Sequence, residues 1–460
     1  MRNIKELFQA TDMTEGAPWK QIVLFTLPML VGNIAQQLYN TVDSIVVGRY
    51  VGDNALAAVG SASPIFNLML VLFIGISTGA GIMVSQYFGA KAKEELAITI
   101  GNCIVASAIA AVVMMVIGPL VTGPLLRLLN TPDSIFGWCH SYLNIMMIGI
   151  AGMIYYNILS GILRGLGDSF SALLYLLVAT VLNIVLDLLF VAKFGMGVSG
   201  VALATVLAQA VSAVLCVFRI FRMTDVFELK LGHFKIYKKQ MGTILKLGLP
   251  SGITQAIFSL AMIMVQSLTN SFGEMFIAAN VIVMRVDGFA MMPNFSFGTA
   301  MTTYAGQNVG ARRYDRVSQG ARQGTLIAVG TSAVITGIIL IFGKYLMGFF
   351  TTTSELVDLS MSMMRIIALG YLAMGVTQSL SGVMRGAGDT MTPMWISLIT
   401  TVIVRVPIAY GIAYFTRSPE YPIGRQECVY ISLLCCWLIG AALTTILYAV
   451  GRWKKKAIQE

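Results

Sequence analysis

Three acidic residues, Asp43, Asp187 and Asp287, lie deep inside long apolar stretches of the sequence. If those stretches cross a bilayer, each central charge costs roughly 2.5–3.5 kcal/mol. Such acids are retained where they are neutralised, paired or open to a wet cavity, and there they bind cations, protons or charged ligands. The three acids are therefore the first candidates for a functional site.

Asp43 and Asp187 have polar neighbours at helical spacing. Tyr39 precedes Asp43 by one turn and Asn183 precedes Asp187 by one turn, so each pair shares a helix face. Further polar side chains occur before Asp43 and in a third stretch: Gln36, Asn40, Thr205, Gln209 and Ser212. Such a group would form an oxygen-lined Na+ site or an acid pair that binds a proton near neutrality. The alternative is that each acid is only hydrogen-bonded or salt-bridged in a helix interface.

The composition indicates which elements position these residues. Of 460 residues, 57% are hydrophobic and 11% charged, with a mean hydropathy of +0.79, whereas soluble domains are about 25% charged. This excludes a soluble enzyme, a nucleic-acid module and a disordered scaffold. A membrane span needs about 20 apolar residues, and twelve are predicted. They are 20–47, 55–83, 96–118, 138–161, 170–192, 198–220, 244–270, 276–304, 322–345, 359–383, 391–415 and 428–450.

The sequence contains an internal repeat that relates its two halves. Residues of identical type recur 221 positions apart, and a Leu-Pro pair recurs 222 apart. The matching sites are Leu27-Pro28 with Leu249-Pro250, Gly52 with Gly273, Gln86 with Gln307, and Arg164-Gly165-x-Gly167-Asp168 with Arg385-Gly386-x-Gly388-Asp389. Six spans in each half is an even number, so both halves enter the membrane from the same side.

The predicted fold is an all-α polytopic membrane protein, with two six-helix lobes related by a pseudo-two-fold axis along the membrane normal. In transporters of this kind, substrate binds between the halves near mid-membrane, and one half rocks against the other. The predicted segments are a cytoplasmic N-terminal segment 1–19, an N-lobe 20–220, a basic cytoplasmic linker 221–243, a C-lobe 244–450 and a basic cytoplasmic tail 451–460.

The two halves differ in their polar residues. In the register of the repeat, Asp43 is opposite Val265, and Asp187 is opposite Ile408. A scaffold role would be expected in both halves, so this asymmetry indicates a function located in the N-lobe.

Lys and Arg residues predict the orientation. Most of the 31 basic residues fall on one side of the predicted topology, together with both termini, and short basic loops are retained in the cytoplasm. We therefore expect a multi-pass protein of the inner (plasma) membrane with cytoplasmic termini. Because the charge is spread over loops as topology requires, no nucleic-acid partner is expected.

The C-terminal half offers a second candidate surface. Gln255, Ser259, Met262 and Gln266 share one face of the seventh span, and flexible methionines suit cavities that accept varied apolar ligands. Asp287 is either part of a structural ion pair with Arg365 or Arg405, or a contact for a cationic substrate. Arg405, two residues before Pro407, is expected to brace a bent helix.

The motifs resemble the multidrug and toxic compound extrusion (MATE) family over nearly the whole chain. The resemblance rests on the Leu-Pro opening of each half, on VDSIVVGRYVG with ALAAVG, on Gln-x-x-Gly-Ala, and on Arg-Gly-x-Gly-Asp. It implies a V-shaped pair of lobes that exports organic cations in exchange for Na+ or H+. Asp43 and Tyr39 match the family's first-span acid and aromatic positions.

The resemblance also assigns a branch. Asn183, Asp187 and Thr205 match the N-lobe cation site of DinF-like members, which would make Asp43, Asn183, Asp187 and Thr205 the ligands if the ion is Na+. The run around Asp287 resembles MepA-type members. NorM-like members have acids where this chain has Gln255 and Met374, which argues against an ion site in the C-lobe.

The function predicted is multidrug efflux by cation-coupled antiport, with substrate contacts at Gln36, Asn40, Gln209, Gln255, Ser259, Met262, Gln266 and Asp287. Expected partners are small organic cations and the lipid bilayer. The chain is expected to be a monomer without a cofactor other than the coupling H+ or Na+. A flippase for lipid-linked glycans or polyisoprenoids is the alternative, kept open by Arg285, Arg365 and Arg405. An intramembrane enzyme is not expected, since the sequence lacks motifs such as HExxH.

Overall fold

The computed structural model describes residues 10–129 and 131–458, and within these ranges the chain is helical with no strand. The first half contains α1 (Pro18–Tyr50), α2 (Asp53–Gly89), α3 (Lys93–Leu128), α4 (Asp133–Ile148), α5 (Ile150–Gly165), α6 (Ser169–Asp187) with a π-helical turn (Leu188–Lys193), and α7 (Gly197–Phe221). A short 3₁₀ turn, Leu231–His233, follows in the connection between the halves.

The second half repeats this order. It contains α8 (Lys238–Ser271), α9 (Glu274–Gly310), α10 (Tyr314–Gly348), α11 (Ser354–Ala368), α12 (Gly370–Gly386), α13 (Met391–Leu398) with a π-helical turn (Ile399–Val404), α14 (Arg405–Phe415), α15 (Cys428–Val450) and a final 3₁₀ turn (Arg452–Lys455).

The predicted twelve spans are confirmed, although two of them are broken. In the described chain, ten stretches are long and apolar enough to cross a membrane unaided. The pairs α4–α5 and α11–α12 each form a further span, bent by 55° and 45° at their junctions. The first break lies at Gly149, where an added Cβ would come 2.2 Å from Val206 Cγ1 on α7. This close approach of two helices requires glycine.

The chain folds into two units whose boundaries fall inside α1 and α8. The first unit is Leu27–Gly252 together with the chain up to Asp12, and the second is Met13–Thr26 together with Ile253 onward. The predicted lobes began at residues 20 and 244 instead. In both helices the change of unit falls within three residues of an internal proline, Pro28 or Pro250.

Local contacts explain why Met13–Thr26 belongs to the second unit and why the first part of α8 belongs to the first unit. In the second unit, the Met13 amide donates to Gln307 Oε1 at 2.8 Å, and Arg316 donates to the Met13 and Gly16 carbonyls. In the first unit, Gly75 of α2 lies against Gly248 of α8, where an added Cβ would come 2.7 Å or less from backbone atoms. Two helices can approach this closely only because the facing residues have no side chains.

The backbone follows the sequence repeat closely. Lys91 and Arg312, 221 residues apart, are the two non-glycine residues with positive φ in the described chain, and both have φ of 58°. Asp168 caps α6 by accepting from the Ser171 amide at 3.0 Å. Asp389 makes the same bond with the Thr392 amide at 3.2 Å. The duplicated motifs are therefore turns and caps of a duplicated scaffold.

Candidate functional site

The first-unit site begins on α1, whose mid-section carries Tyr39 and Asp43 one turn apart. Tyr39 is buried, and its hydroxyl donates to Thr205 Oγ1 of α7 at 3.1 Å. This bond joins α1 to α7 through the apolar interior. It also fixes the helix face that carries Asp43.

The end of α6 supplies the second part of the site. Asn183 and Asp187 are both fully buried, and Asp187 is the last α-helical residue before the π-helical turn. Such turns are frequent at functional sites because they interrupt the regular helix. Asn183 Nδ2 donates to Thr205 Oγ1 at 3.5 Å, so Thr205 accepts from both Asn183 and Tyr39. Thr205 therefore joins three helices at one hydroxyl.

The two carboxyl groups face each other. The side chains of Asp43 and Asp187 interact with each other, although neither can donate a hydrogen bond while both are ionised. Several buried oxygens around them have no hydrogen-bond donor in the described chain: Asp43 Oδ1, Asn183 Oδ1, both oxygens of Asp187, and Gln209 Oε1 one turn beyond Thr205. An unsatisfied buried acceptor costs about 1–3 kcal/mol, and more when charged. The structure thus brings together all five residues predicted for ion coupling.

Tyr142 of α4 is a neighbour that sequence reasoning missed. The residue is 7% exposed, lies within electrostatic range of Asp43 and Asp187, and its hydroxyl interacts with Ser63. A single tyrosine in an apolar helix gives no periodic polar signal, so nothing in the sequence marked it. Tyr142 therefore adds a polar side chain from a further helix, α4, to the surroundings of the acid pair.

The other predicted N-lobe residues lie in different environments. Gln209 is buried and belongs to the unsatisfied oxygens around the acid pair. Gln36 is half-buried, and Asn40 is exposed, with its carbonyl accepting from Ser44. Ser212 is buried and donates to the Tyr175 carbonyl at 2.6 Å, which gives it a structural bond.

The second unit contains a cavity of about 330 Å³ among α8, α9 and the helices that follow. Of the predicted C-lobe residues, Gln255, Met262, Gln266 and Asp287 line it. Ser259 does not; it is exposed and donates to the Gln255 carbonyl at 3.2 Å. Gln266 Nε2 donates to Asn270 Oδ1 at 2.7 Å. The cavity wall is mainly apolar, as is usual for small-molecule sites.

Asp287 and Arg405 are the charged groups of this cavity. Asp287 Oδ1 accepts from the Tyr371 hydroxyl at 2.9 Å. Arg405 lies within electrostatic range of Asp287 without an ion-pair contact, and its buried Nε has no acceptor among the described residues. Arg405 begins α14 directly after a π-helical turn, so it stands at a helix irregularity as expected, and it also lines the cavity. Arg285 and Arg365 are exposed.

The helical repeat, the twelve apolar spans and a buried polar site within the first unit define a membrane transporter. A family model described as MatE matches residues 28–189 and again residues 250–411. The chain therefore belongs to the MATE family, as the motifs predicted.

Similar proteins agree with this assignment. The chain is 32% identical to the Bacillus subtilis protein named probable multidrug resistance protein YoeA, over 91% of this chain and 92% of that protein. It is 31% identical to probable multidrug resistance protein YpnP of the same organism, over 97% and 98%. A crystal structure of a MATE protein in a bent conformation has the same fold, with a TM-score of 0.89 at 24% identity, over 99% of each chain.

Proposed function

We propose that this chain is a cation-coupled antiporter that exports lipophilic, mostly cationic organic compounds, with H+ or Na+ as the coupling ion. The observation that supports the proposal is the group of buried, unsatisfied oxygens around Asp43 and Asp187. Among the described residues, no Lys or Arg forms an ion pair with either acid, and none is a main electrostatic influence on them. A mobile cation is the simplest group that would compensate it.

The two ions would use the same residues differently. A proton on either carboxyl would supply the hydrogen bond that the facing acids otherwise lack. Na+ prefers hard oxygen ligands, and Asp43, Asn183, Asp187 and Thr205 could provide them. Tyr39 would act through Thr205, because its hydroxyl bond orients that ligand.

Coupling requires that ion and substrate compete. Binding of the ion neutralises negative charge at Asp43 on α1. A cationic substrate bound nearby would be attracted by that same negative charge, so it binds less tightly once the ion is bound. Each therefore lowers the affinity of the other, which is the reciprocal linkage that antiport needs. Alternating access between the lobes would then expose each site in turn.

Substrate would contact polar and flexible side chains of both halves, at Gln36, Asn40, Gln209, Gln255, Ser259, Met262, Gln266 and Asp287. We place the protein in the plasma (inner) membrane as a monomer, with the N-terminal segment, the 221–243 linker and the tail on the cytoplasmic side. The basic residues of these segments support this orientation. We assign it no catalytic activity, in line with its relatives.

The decisive experiment uses purified protein in proteoliposomes loaded with ethidium. Efflux is recorded under an imposed Na+ gradient and, separately, under an imposed pH gradient, each with an ionophore that collapses it. We expect one gradient to accelerate ethidium efflux and the ionophore to remove that acceleration. Equal ethidium movement with and without gradients would contradict antiport and favour a scramblase-like flippase.

A further inference from the structure

The cavity of the second unit has a balance of charge that distinguishes it from the acid pair. Its lining contains one carboxylate, Asp287, and one guanidinium, Arg405. A simple cation would be attracted by Asp287 and repelled by Arg405, and a simple anion would meet the reverse. A ligand carrying both charges would satisfy both groups, which is how charge complementarity selects a partner.

Arg405 and Asp287 do not behave as a closed structural pair. In a low-dielectric interior, opposite charges gain most at direct contact, and an uncompensated buried charge is costly. Yet the two side chains make no ion pair in the structure, and the Arg405 Nε has no acceptor in the described chain. The Tyr371 hydroxyl supplies one hydrogen bond to Asp287, on Oδ1. Both charges thus keep capacity for a further partner.

Several of the other polar groups of the wall are already engaged by neighbouring side chains. The Tyr430 hydroxyl donates to Asn280 Oδ1. Cys436 contacts Thr401 Oγ1 at 3.9 Å. A ligand would therefore find two charged anchors, Asp287 and Arg405, in a mainly apolar surface that also carries the neutral amide of Gln255.

The apolar part of the wall suits a flat or flexible hydrophobic body. Phe258, Phe295 and Trp437 contribute rings, and Met262, Met284 and Met291 contribute adaptable thioethers. The volume of about 330 Å³ is within the range of pockets for drug-sized molecules.

We propose that this cavity binds a small zwitterionic amphiphile. The cationic group of the ligand lies against Asp287, its carboxylate pairs with Arg405, and its apolar body contacts the methionine and aromatic wall. The geometry assigns to Arg405 a role in ligand specificity, in addition to its position at the start of α14. This site lies wholly within the second unit and does not depend on ion coupling at Asp43 and Asp187.

Three fluorescent probes that share one dansyl group and one alkyl chain test the charge requirement. Nε-dansyl-lysine is zwitterionic, dansylcadaverine is the same molecule without the carboxylate, and 6-(dansylamino)hexanoate is the same molecule without the α-amine. Binding to purified full-length protein in detergent is measured from the rise in dansyl fluorescence. We expect the zwitterion to bind about tenfold tighter than either analogue, a difference of about 1.4 kcal/mol.

Substitutions then assign each charge. Arg405→Gln should lower the affinity for Nε-dansyl-lysine about tenfold and leave dansylcadaverine unchanged or tighter, because the repelling guanidinium is gone. Asp287→Asn should lower the affinity for Nε-dansyl-lysine and leave the affinity for 6-(dansylamino)hexanoate unchanged, because, of these two probes, only the zwitterion has a cationic group that Asp287 attracts. Arg365→Gln, which removes an exposed arginine outside the cavity lining, is the matched control and should change nothing.

A filling substitution tests the location. An added Cβ at Gly288 has no atom within 4 Å, so Gly288→Leu places a side chain on the cavity wall without a backbone clash. It should weaken all three probes together.

Two results would overturn the proposal. One is equal binding of Nε-dansyl-lysine and dansylcadaverine to the unmodified protein, a comparison that needs no variant to fold. The other is an equal loss of all three probes in a folded Arg405→Gln protein, which would make the arginine purely structural. Neither result would contradict the antiport proposal if an imposed ion gradient still drives ethidium efflux, because that proposal is tested by gradient-driven efflux and not by binding of these probes.

Discussion

The two units share a backbone plan but differ in how they handle buried charge. The first unit holds two carboxyls that interact with each other, Asp43 and Asp187, with no ion pair to either among the described residues. The second unit holds one carboxyl, Asp287, and one guanidinium, Arg405, on the wall of a cavity. The turns and caps are retained in both halves because both must pack in the same way. The buried charges have diverged, so they report function rather than folding.

The largest expected effect comes from removing the acids of the first unit. Asp187→Asn or Asp43→Asn should abolish gradient-driven ethidium efflux, because a neutral amide cannot exchange a proton and is a weaker Na+ ligand. Expression should be retained, since the amide has nearly the shape of the acid. Efflux from proteoliposomes, normalised to reconstituted protein, gives the measurement.

Asp358→Asn is the matched control for these variants. Asp358 is exposed and paired with Lys344 at 2.6 Å on the surface of the second unit, so its loss should leave efflux unchanged. Normal ethidium export by the Asp43→Asn, Asp187→Asn double variant would show that the acid pair is not the coupling site.

The second prediction concerns packing, where the two units should respond alike. An added Cβ at Gly161 would come 2.3 Å from Ser77 Oγ, and one at Gly382 would come 2.3 Å from the Gly298 carbonyl, at the equivalent place 221 residues later. Gly161→Ala and Gly382→Ala should each destabilise the protein by about 1–3 kcal/mol, as overpacking does. Thermal unfolding followed by size-exclusion chromatography compares them.

Gly60→Ala and Gly330→Ala serve as controls, because a Cβ at either position meets nothing within 4 Å. A clear drop in Tm for only one of the two packed glycines would mean that the scaffolds are less equivalent than their turns suggest.

Much of this comparison could be predicted from the sequence. The repeat follows from residue identities 221 positions apart and the twelve spans from hydropathy, while helical spacing pairs Tyr39 with Asp43 and Asn183 with Asp187, since residues one turn apart share a face. Which faces of different helices meet is a matter of tertiary packing, and only the resemblance to a family supplied that. The structure then brought these four residues and Thr205 together.

Other features lay beyond sequence reasoning for identifiable reasons. Tyr142 approaches the acid pair only because α4 packs there, and no spacing in its own helix marks it. The breaks at Gly149 and Leu369 leave the hydrophobic pattern of each span continuous. The sequence also left open whether Arg365 or Arg405 is the partner of Asp287, and only the fold shows that Arg405 lines the same cavity.

The third prediction weakens the first-unit site without removing its charges. Thr205→Ala deletes the acceptor of the Tyr39 and Asn183 hydrogen bonds, at a cost of about 1–1.5 kcal/mol that corresponds to roughly tenfold weaker coupling. Tyr39→Phe removes one of those bonds and should have a smaller effect. The measurement is the ion concentration needed for half-maximal efflux.

Thr205→Ser keeps the hydroxyl and should restore most of the loss. If serine and alanine are equally defective, the methyl group rather than the hydroxyl of Thr205 is what matters, and its role as an ion ligand is contradicted.

The smallest expected effect is a difference in stability between two variants at repeat-related positions, Asp389→Ala and Asp168→Ala. Asp389 accepts from the Thr392 amide and hydroxyl just before α13, so Asp389→Ala should cost about 1 kcal/mol, the usual net value of a hydrogen bond. Asp168 makes the same bonds to Ser171 and also pairs with Arg219 at 2.9 Å, with its own side chain fully buried. Asp168→Ala should therefore cost more, because it removes the ion pair with Arg219 as well as the bonds to Ser171. Thermal unfolding of the two variants measures the difference. Equal destabilisation would mean that the ion pair between Asp168 and Arg219 adds nothing to the stability that the hydrogen bonds to Ser171 already supply.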